Sequence, residues 1–121
     1  MTGIYPLLKG DDTLTGTVLC AVIFDDERRE CTTWARLLSV VGEFLYCENP
    51  LLFTEAASDS VWYNQNNTIF RRPIPIADTA WFCCGGGYDG KSFRNAAASV
   101  AEKMGCLERF KLEVTSLSES G

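Results

Sequence analysis

The run Thr17–Phe24 (TVLCAVIF) constrains the fold more than any other stretch of this chain. It is apolar at nearly every position, rich in branched side chains, too short for a typical helix, and ends abruptly in Asp25-Asp26. Such a run reads as a strand inside a sheet, and its lack of alternation predicts that both faces are covered. The next segment changes period. Trp34, Leu37, Leu38, Val41 and Leu45 fall at i, i+3, i+4, i+7 and i+11, with Arg36, Ser39 and Glu43 opposite. That spacing predicts an amphipathic helix over residues 26–46, capped by the aspartates and stopped at Asn49-Pro50.

The remaining segments are arranged around these two. Residues 4–8 followed by Lys9-Gly10-Asp11-Asp12 read as a strand and a turn. Residues 51–84 read as a β meander. In it, strands at 60–63 and 68–71 flank the loop Asn64-Gln65-Asn66-Asn67, 72–76 is an extended two-proline connection, and 79–84 is a strand running into three glycines. Phe93, Ala96, Ala97, Val100 and Met104 mark a second helix over 91–104, with Gly105 at its left-handed cap. Phe110, Leu112 and Val114 alternate with Lys111, Glu113 and Thr115, predicting a half-buried edge strand and a polar tail over 116–121. The order strand-strand-helix-strand-strand-strand-helix-strand makes the chain an α+β domain. It predicts a single mainly antiparallel sheet of about five to six strands with two amphipathic helices.

Composition bounds the function. At 121 residues there is room for one domain, and the usual scaling gives a folded surface of roughly 6,500 Å². Sixteen acidic against eleven basic residues leave a net charge of −5. Arg28-Arg29 and Arg71-Arg72 are too small a positive footprint for free nucleic acid or an anionic membrane, so a partner with a basic surface fits better. The first residues carry no leader pattern and no apolar run spans a bilayer, which predicts a cytoplasmic chain with its six cysteines reduced.

With no histidine, Ser-His and Cys-His chemistry is excluded, and no Cys-x-x-Cys pair suggests zinc. Cys83-Cys84 is a vicinal pair open to thiol or metal chemistry. The most specific local pattern is Gly85-Gly86-Gly87-Tyr88-Asp89-Gly90-Lys91-Ser92, which fits G-x-x-x-x-G-K-[ST] between a predicted strand and a predicted helix. It resembles the phosphate loop of P-loop nucleotide hydrolases. The resemblance implies that Gly85 and Gly90 shape a phosphate cradle, Lys91 reaches the outer phosphates of ATP or GTP, and Ser92 with Asp25 holds Mg²⁺. Asp89 sits inside that cradle and repels phosphate unless it faces outward. Phe24-Asp25-Asp26-Glu27 ahead of a helix also resembles the opening of response-regulator receiver domains. No apolar strand in the middle of the chain ends in a phospho-accepting aspartate, and the late Lys-Pro pair of that fold is missing.

The residue types enriched at protein interfaces gather in the expected hairpin: Trp62, Tyr63, Asn64, Asn66, Arg71 and Arg72. On a strand Trp62 and Tyr63 point to opposite faces, so one leaves the core. The sequence therefore reads first as a small protein-binding module, an inhibitor, adaptor or assembly subunit without catalysis. The edge strand over 110–115 also offers a place for self-association. Phosphate binding at 85–92 is the alternative, and thiol chemistry at Cys83-Cys84 the second alternative.

Overall fold

In the computed structural model, residues 2–9, 14 and 16–116 are described. The predicted turn at 10–12 and the tail at 117–121 lie outside them. The chain is α+β, but its described residues form two antiparallel sheets and three α-helices where the sequence predicts one sheet and two helices. The first sheet is built from β1 (Thr2–Pro6), β2 (Thr17–Phe24), β3 (Glu27–Glu30) and β7 (Phe110–Ser116), in the order β1-β7-β2-β3. The last strand is therefore interior, not an edge, because the first strand pairs along its free side.

β2 takes its predicted bounds but not its predicted environment. A bulge between Leu19 and Ala21 shifts its pairing with β7, so Leu19 shares the inward face with Val22 and Phe24. The apolar run fails to alternate because the extra residue changes the parity of the strand. Among the described residues its outer face is covered only by side chains of its own sheet: Ile23 is half-buried there, Ala21 is buried, and the Arg28 guanidinium grips Glu113 across it at 3.1 and 2.8 Å.

Residues 27–30 are also not helical. Asp25 sits at φ +55°, which aspartate tolerates, and with Asp26 forms a two-residue turn that folds β3 back on β2. A short 3₁₀ turn at Trp34–Arg36 then leads into α1 (Leu37–Glu48). Asn49-Pro50 ends α1 as predicted. The same pair starts α2 (Pro50–Ser58), with Asn49 Oδ1 accepting from the Leu52 N–H at 3.2 Å and Pro50 in the first turn. The predicted meander begins only after this helix.

The small sheet joins β4 (Tyr63–Asn64), β5 (Pro73–Pro75) and β6 (Phe82–Cys84) in the order β4-β6-β5. No hairpin pairs 60–63 with 68–71. Asn64 Oδ1 accepts from Asn66 N at 2.8 Å, and Asn66 Oδ1 accepts from the N–H and hydroxyl of Thr68 at 3.0 and 2.7 Å. These local bonds satisfy the backbone in a 3₁₀ turn at Asn67–Ile69 instead of a ladder. The prolines of β5 are accommodated because the strand is an edge. Ile76 N–H bonds to Trp81 O, so Ile74 faces β6 while Pro73 and Pro75 turn outward.

α1 lies between the two sheets, and this explains why it is buried nearly all round. Leu37, Leu38, Val41, Phe44 and Leu45 are buried, and Phe44 joins Phe24 and Phe110 of the first sheet. On the other side Ser39, expected on a polar face, is buried and donates to Pro75 O at 3.1 Å, while Gly42 leaves room for Tyr63 and Ile76. α2 supplies Phe53, whose ring meets Tyr46, Tyr63 and Trp81 edge to face. α3 (Gly90–Lys103) ends before Gly105 at φ +71°, as its sequence predicts. The accessible surface is 6674 Å², close to the scaling value for a folded chain of this length.

Candidate functional site

The residues expected to form one interaction hairpin are dispersed. Tyr63 is a core residue, 1% exposed, and its hydroxyl donates to Leu38 O at 2.7 Å. Burial pushes its phenol well above the ordinary range. It is corrected from contact residue to the bolt between α1 and the small sheet. Asn64 and Asn66 shape the turn described above, toward the Phe82 end of β6. Trp62 and Arg72 flank the other end, one on each side of the Cys84–Gly86 segment. Cys84 N–H bonds to Trp62 O at 3.0 Å, and the Arg72 stem runs along Gly86.

Trp62 is half-buried. Its ring lies 5.7 Å from Phe93 and 4.6 Å from Tyr88, which comes from the glycine-rich loop and is 60% exposed. Val61, beside it in the chain, is 85% exposed. A hollow of about 260 Å³ adjoins Trp62, bordered by Ser60, Ser92, Asn95 and Ser99. Sequence reasoning missed Val61 and Tyr88 because one falls in the strand expected at 60–63 and the other in the phosphate-loop pattern. An aromatic among four glycines and polar residues was the available signal.

The glycine-rich loop holds its own carboxylate where a phosphate would sit. Asp89 is the N-cap of α3, its Oδ1 accepting from the Ser92 N–H at 2.8 Å. Gly85 packs elsewhere, against the backbone of Arg72. Lys91 and Gly90 border a cavity of about 250 Å³ with Thr17, Trp34 and Arg94, whose buried guanidinium lies 4.7 Å over the Trp34 ring. This cavity is at the Thr17 end of β2, whereas Asp25 follows Phe24 at the other end, seven residue steps or roughly 23 Å away. The fold does not bring Asp25 and Ser92 together as a Mg²⁺ pair. Asp25 instead takes two bonds from Arg109, at 2.9 and 2.6 Å, and Glu48 takes a third at 2.8 Å.

Cys83 and Cys84 are both buried. Burial, and secondarily the neighbouring Cys84, pushes the Cys83 thiol up to about 12, far from a reactive thiolate. Cys31 is pushed up to about 11 by the same cause. Among the described residues no group of three or more cysteine or acidic side chains could hold a metal ion. None of their helices is long and apolar enough to cross a membrane.

Three carboxyls are held below the usual range: Asp25 by hydrogen bonds from Arg109, Glu113 by those from Arg28, and Asp89 by the hydroxyl and N–H of Ser92. A carboxyl lowered on folding stabilises above its unfolded value, near pH 4, and loses that contribution as pH falls through the lower folded value. The melting temperature is therefore expected to fall below about pH 4. Asp89→Asn, which still caps, should leave it unchanged near neutrality and flatten the acid decline in a pH series of thermal melts. An unaltered acid limb would assign the decline to other groups.

Compared with protein-family models, curated proteins and solved structures, the chain matches none, so a functional reading rests on its own geometry.

Proposed function

We propose that this is a small protein-binding module, an inhibitor, adaptor or assembly subunit, that acts by contact at the Val61-Trp62-Tyr88 surface. The observation that carries the reading is the Trp62–Tyr88 pair. A half-buried tryptophan is anchored on Phe93 and presents Tyr88 and Val61 to solvent. Rigid aromatics seated on a packed base are the side chains that contribute most at protein interfaces, since little rotamer freedom remains to be lost on binding. Arg72 lies at the same end of the small sheet, where it supplies a fork of donors at the rim. The chain's net charge of −5 favours a partner with a basic surface. Six unbridged cysteines fit a reducing compartment, the cytoplasm.

Affinity capture on the immobilised chain tests the reading when wild type, Val61→Arg and Tyr88→Ser are compared. The expected result is a partner retained by wild type and lost by both variants, with melting temperatures within about 2 °C of wild type. A retained set identical in all three, or no specific protein on wild type, would overturn it.

A further inference from the structure

The four-stranded sheet has two edges of opposite character. β3 is Glu27-Arg28-Arg29-Glu30, and its arginines are engaged by Glu113, Glu27 and Glu43, the charge-rich design that discourages edge pairing. β1 is Thr2-Gly3-Ile4-Tyr5-Pro6, without a charge, and leaves Ile4 58% and Tyr5 44% exposed. The register shows where its backbone groups point. Leu7 N–H donates to Phe110 O at 3.3 Å, so by alternation Tyr5 and Gly3 face β7, while Thr2, Ile4 and Pro6 turn theirs outward. Pro6 has no N–H, so this edge, unpaired among the described residues, offers the donors of Thr2 and Ile4 and the carbonyls of all three.

We propose that β1 pairs antiparallel with β1 of a second copy of this chain, about a two-fold axis at Ile4, joining the two sheets into one. The edge is self-complementary in that register. The two Ile4 residues exchange both N–H···O bonds, and each Thr2 N–H donates to the partner's Pro6 carbonyl, so every outward donor is used. On the outer face Ile4 lies against the partner's Ile4. On the inner face Tyr5 comes opposite the partner's Gly3, beside the partner's own Tyr5 ring, so the two rings meet there. Tyr5 already leans over its own Gly3, where a Cβ would stand 2.8 Å from the ring. Moving the axis to Gly3 would set glycine against glycine and separate the isoleucines, burying less. No charge enters the seam, so the net −5 of each copy is kept away from it. Two five-residue strands cover less than the roughly 1,600 Å² of a standard interface, so the dimer is expected to be weak, forming at high micromolar concentration.

Sedimentation equilibrium of the full chain from low micromolar to millimolar concentration tests this. Wild type is expected to pass from monomer to dimer. Ile4→Lys, which sets two ammonium groups side by side, should raise the dissociation constant by about tenfold or more. Thr2→Pro, which removes an outward donor without touching a bond to β7, should do the same, while Val61→Arg leaves the dimer intact. A monomer at every concentration would overturn the proposal. So would a dimer of equal strength in both β1 variants, which would place the contact elsewhere.

Discussion

Replacing Phe53 with alanine is expected to destabilise the fold by about 4 kcal/mol, lowering the melting temperature by roughly 15 °C. The ring is 0% exposed and stands at the centre of an aromatic cluster, in edge-to-face contact with Tyr46, Tyr63 and Trp81 at 5.9, 5.5 and 5.9 Å. Its removal forfeits the transfer free energy of a large side chain and leaves a cavity that α1, α2 and the small sheet would have to collapse to fill. Those elements are tied across that space by the Tyr63 hydroxyl bond to Leu38 and by the Ser39 bond to Pro75, so collapse is limited. Leu51→Ala, two residues earlier and 80% exposed, should change stability by less than about 0.5 kcal/mol. Chemical denaturation of both variants makes the comparison. Equal midpoints would mean that α2 is not docked as described, and the small sheet would lose its main support.

The second large effect concerns Gly85. A Cβ there would stand 2.3 Å from the Arg72 carbonyl oxygen and 2.6 Å from Ile74 Cγ1. The carbonyl belongs to backbone beside the β5–β6 ladder, so it cannot swing aside, and Gly85→Ala is expected to cost about 2–3 kcal/mol. At Gly86 the nearest atom is Arg72 Cδ, at 2.9 Å on a flexible side chain, and alanine should be tolerated. At Gly87 there is open space, but φ is +86°, so alanine should cost about 1 kcal/mol through backbone strain alone. Thermal melts of the three alanine variants should therefore rank Gly85 well ahead of Gly87 and Gly87 ahead of Gly86. This ranking assigns the glycine run to close packing and a turn, requirements that stand whether or not any ligand binds. Equal tolerance at all three would remove that account.

Much of the candidate surface was legible as residue types and not as a place. Trp62 and Arg72 were identifiable as interface chemistry, and they flank the same end of the small sheet. β6 lies between them, however, and they reach it through pairing over roughly ten to twenty residues of chain that no local pattern encodes. Tyr63 was indistinguishable from Trp62 by type, and only the depth of the fold separates a bolted core tyrosine from a half-exposed tryptophan. The asparagines show the converse error. Asn64 and Asn66 resemble a hairpin loop in composition, yet each bonds to a backbone N–H two residues ahead, and that local satisfaction removes the reason to form a ladder. The Gly85–Ser92 motif fits its pattern letter by letter. What the pattern does not specify is the direction of the Asp89 carboxylate, which caps the helix from the position a phosphate would need.

The sequence by itself determined where apolar period and turn chemistry agree: β2, the body of α1, α3 with its Gly105 cap, and the alternation of the last strand. These are local signals, each set by side-chain spacing within one element or by the conformational range of one residue. Tertiary structure decided what depends on a neighbour distant in the chain. It made β7 interior by laying β1 along it, and turned Glu27–Glu30 into an edge strand by pairing it with β2. It also buried Ser39, from the expected polar face of α1, under a second sheet, while Arg36 stays exposed and Glu43 pairs with Arg29. The physical reason is common to all three. Burial and ladder hydrogen bonds are properties of a pair of surfaces, and a residue carries no record in its own identity of which surface will cover it.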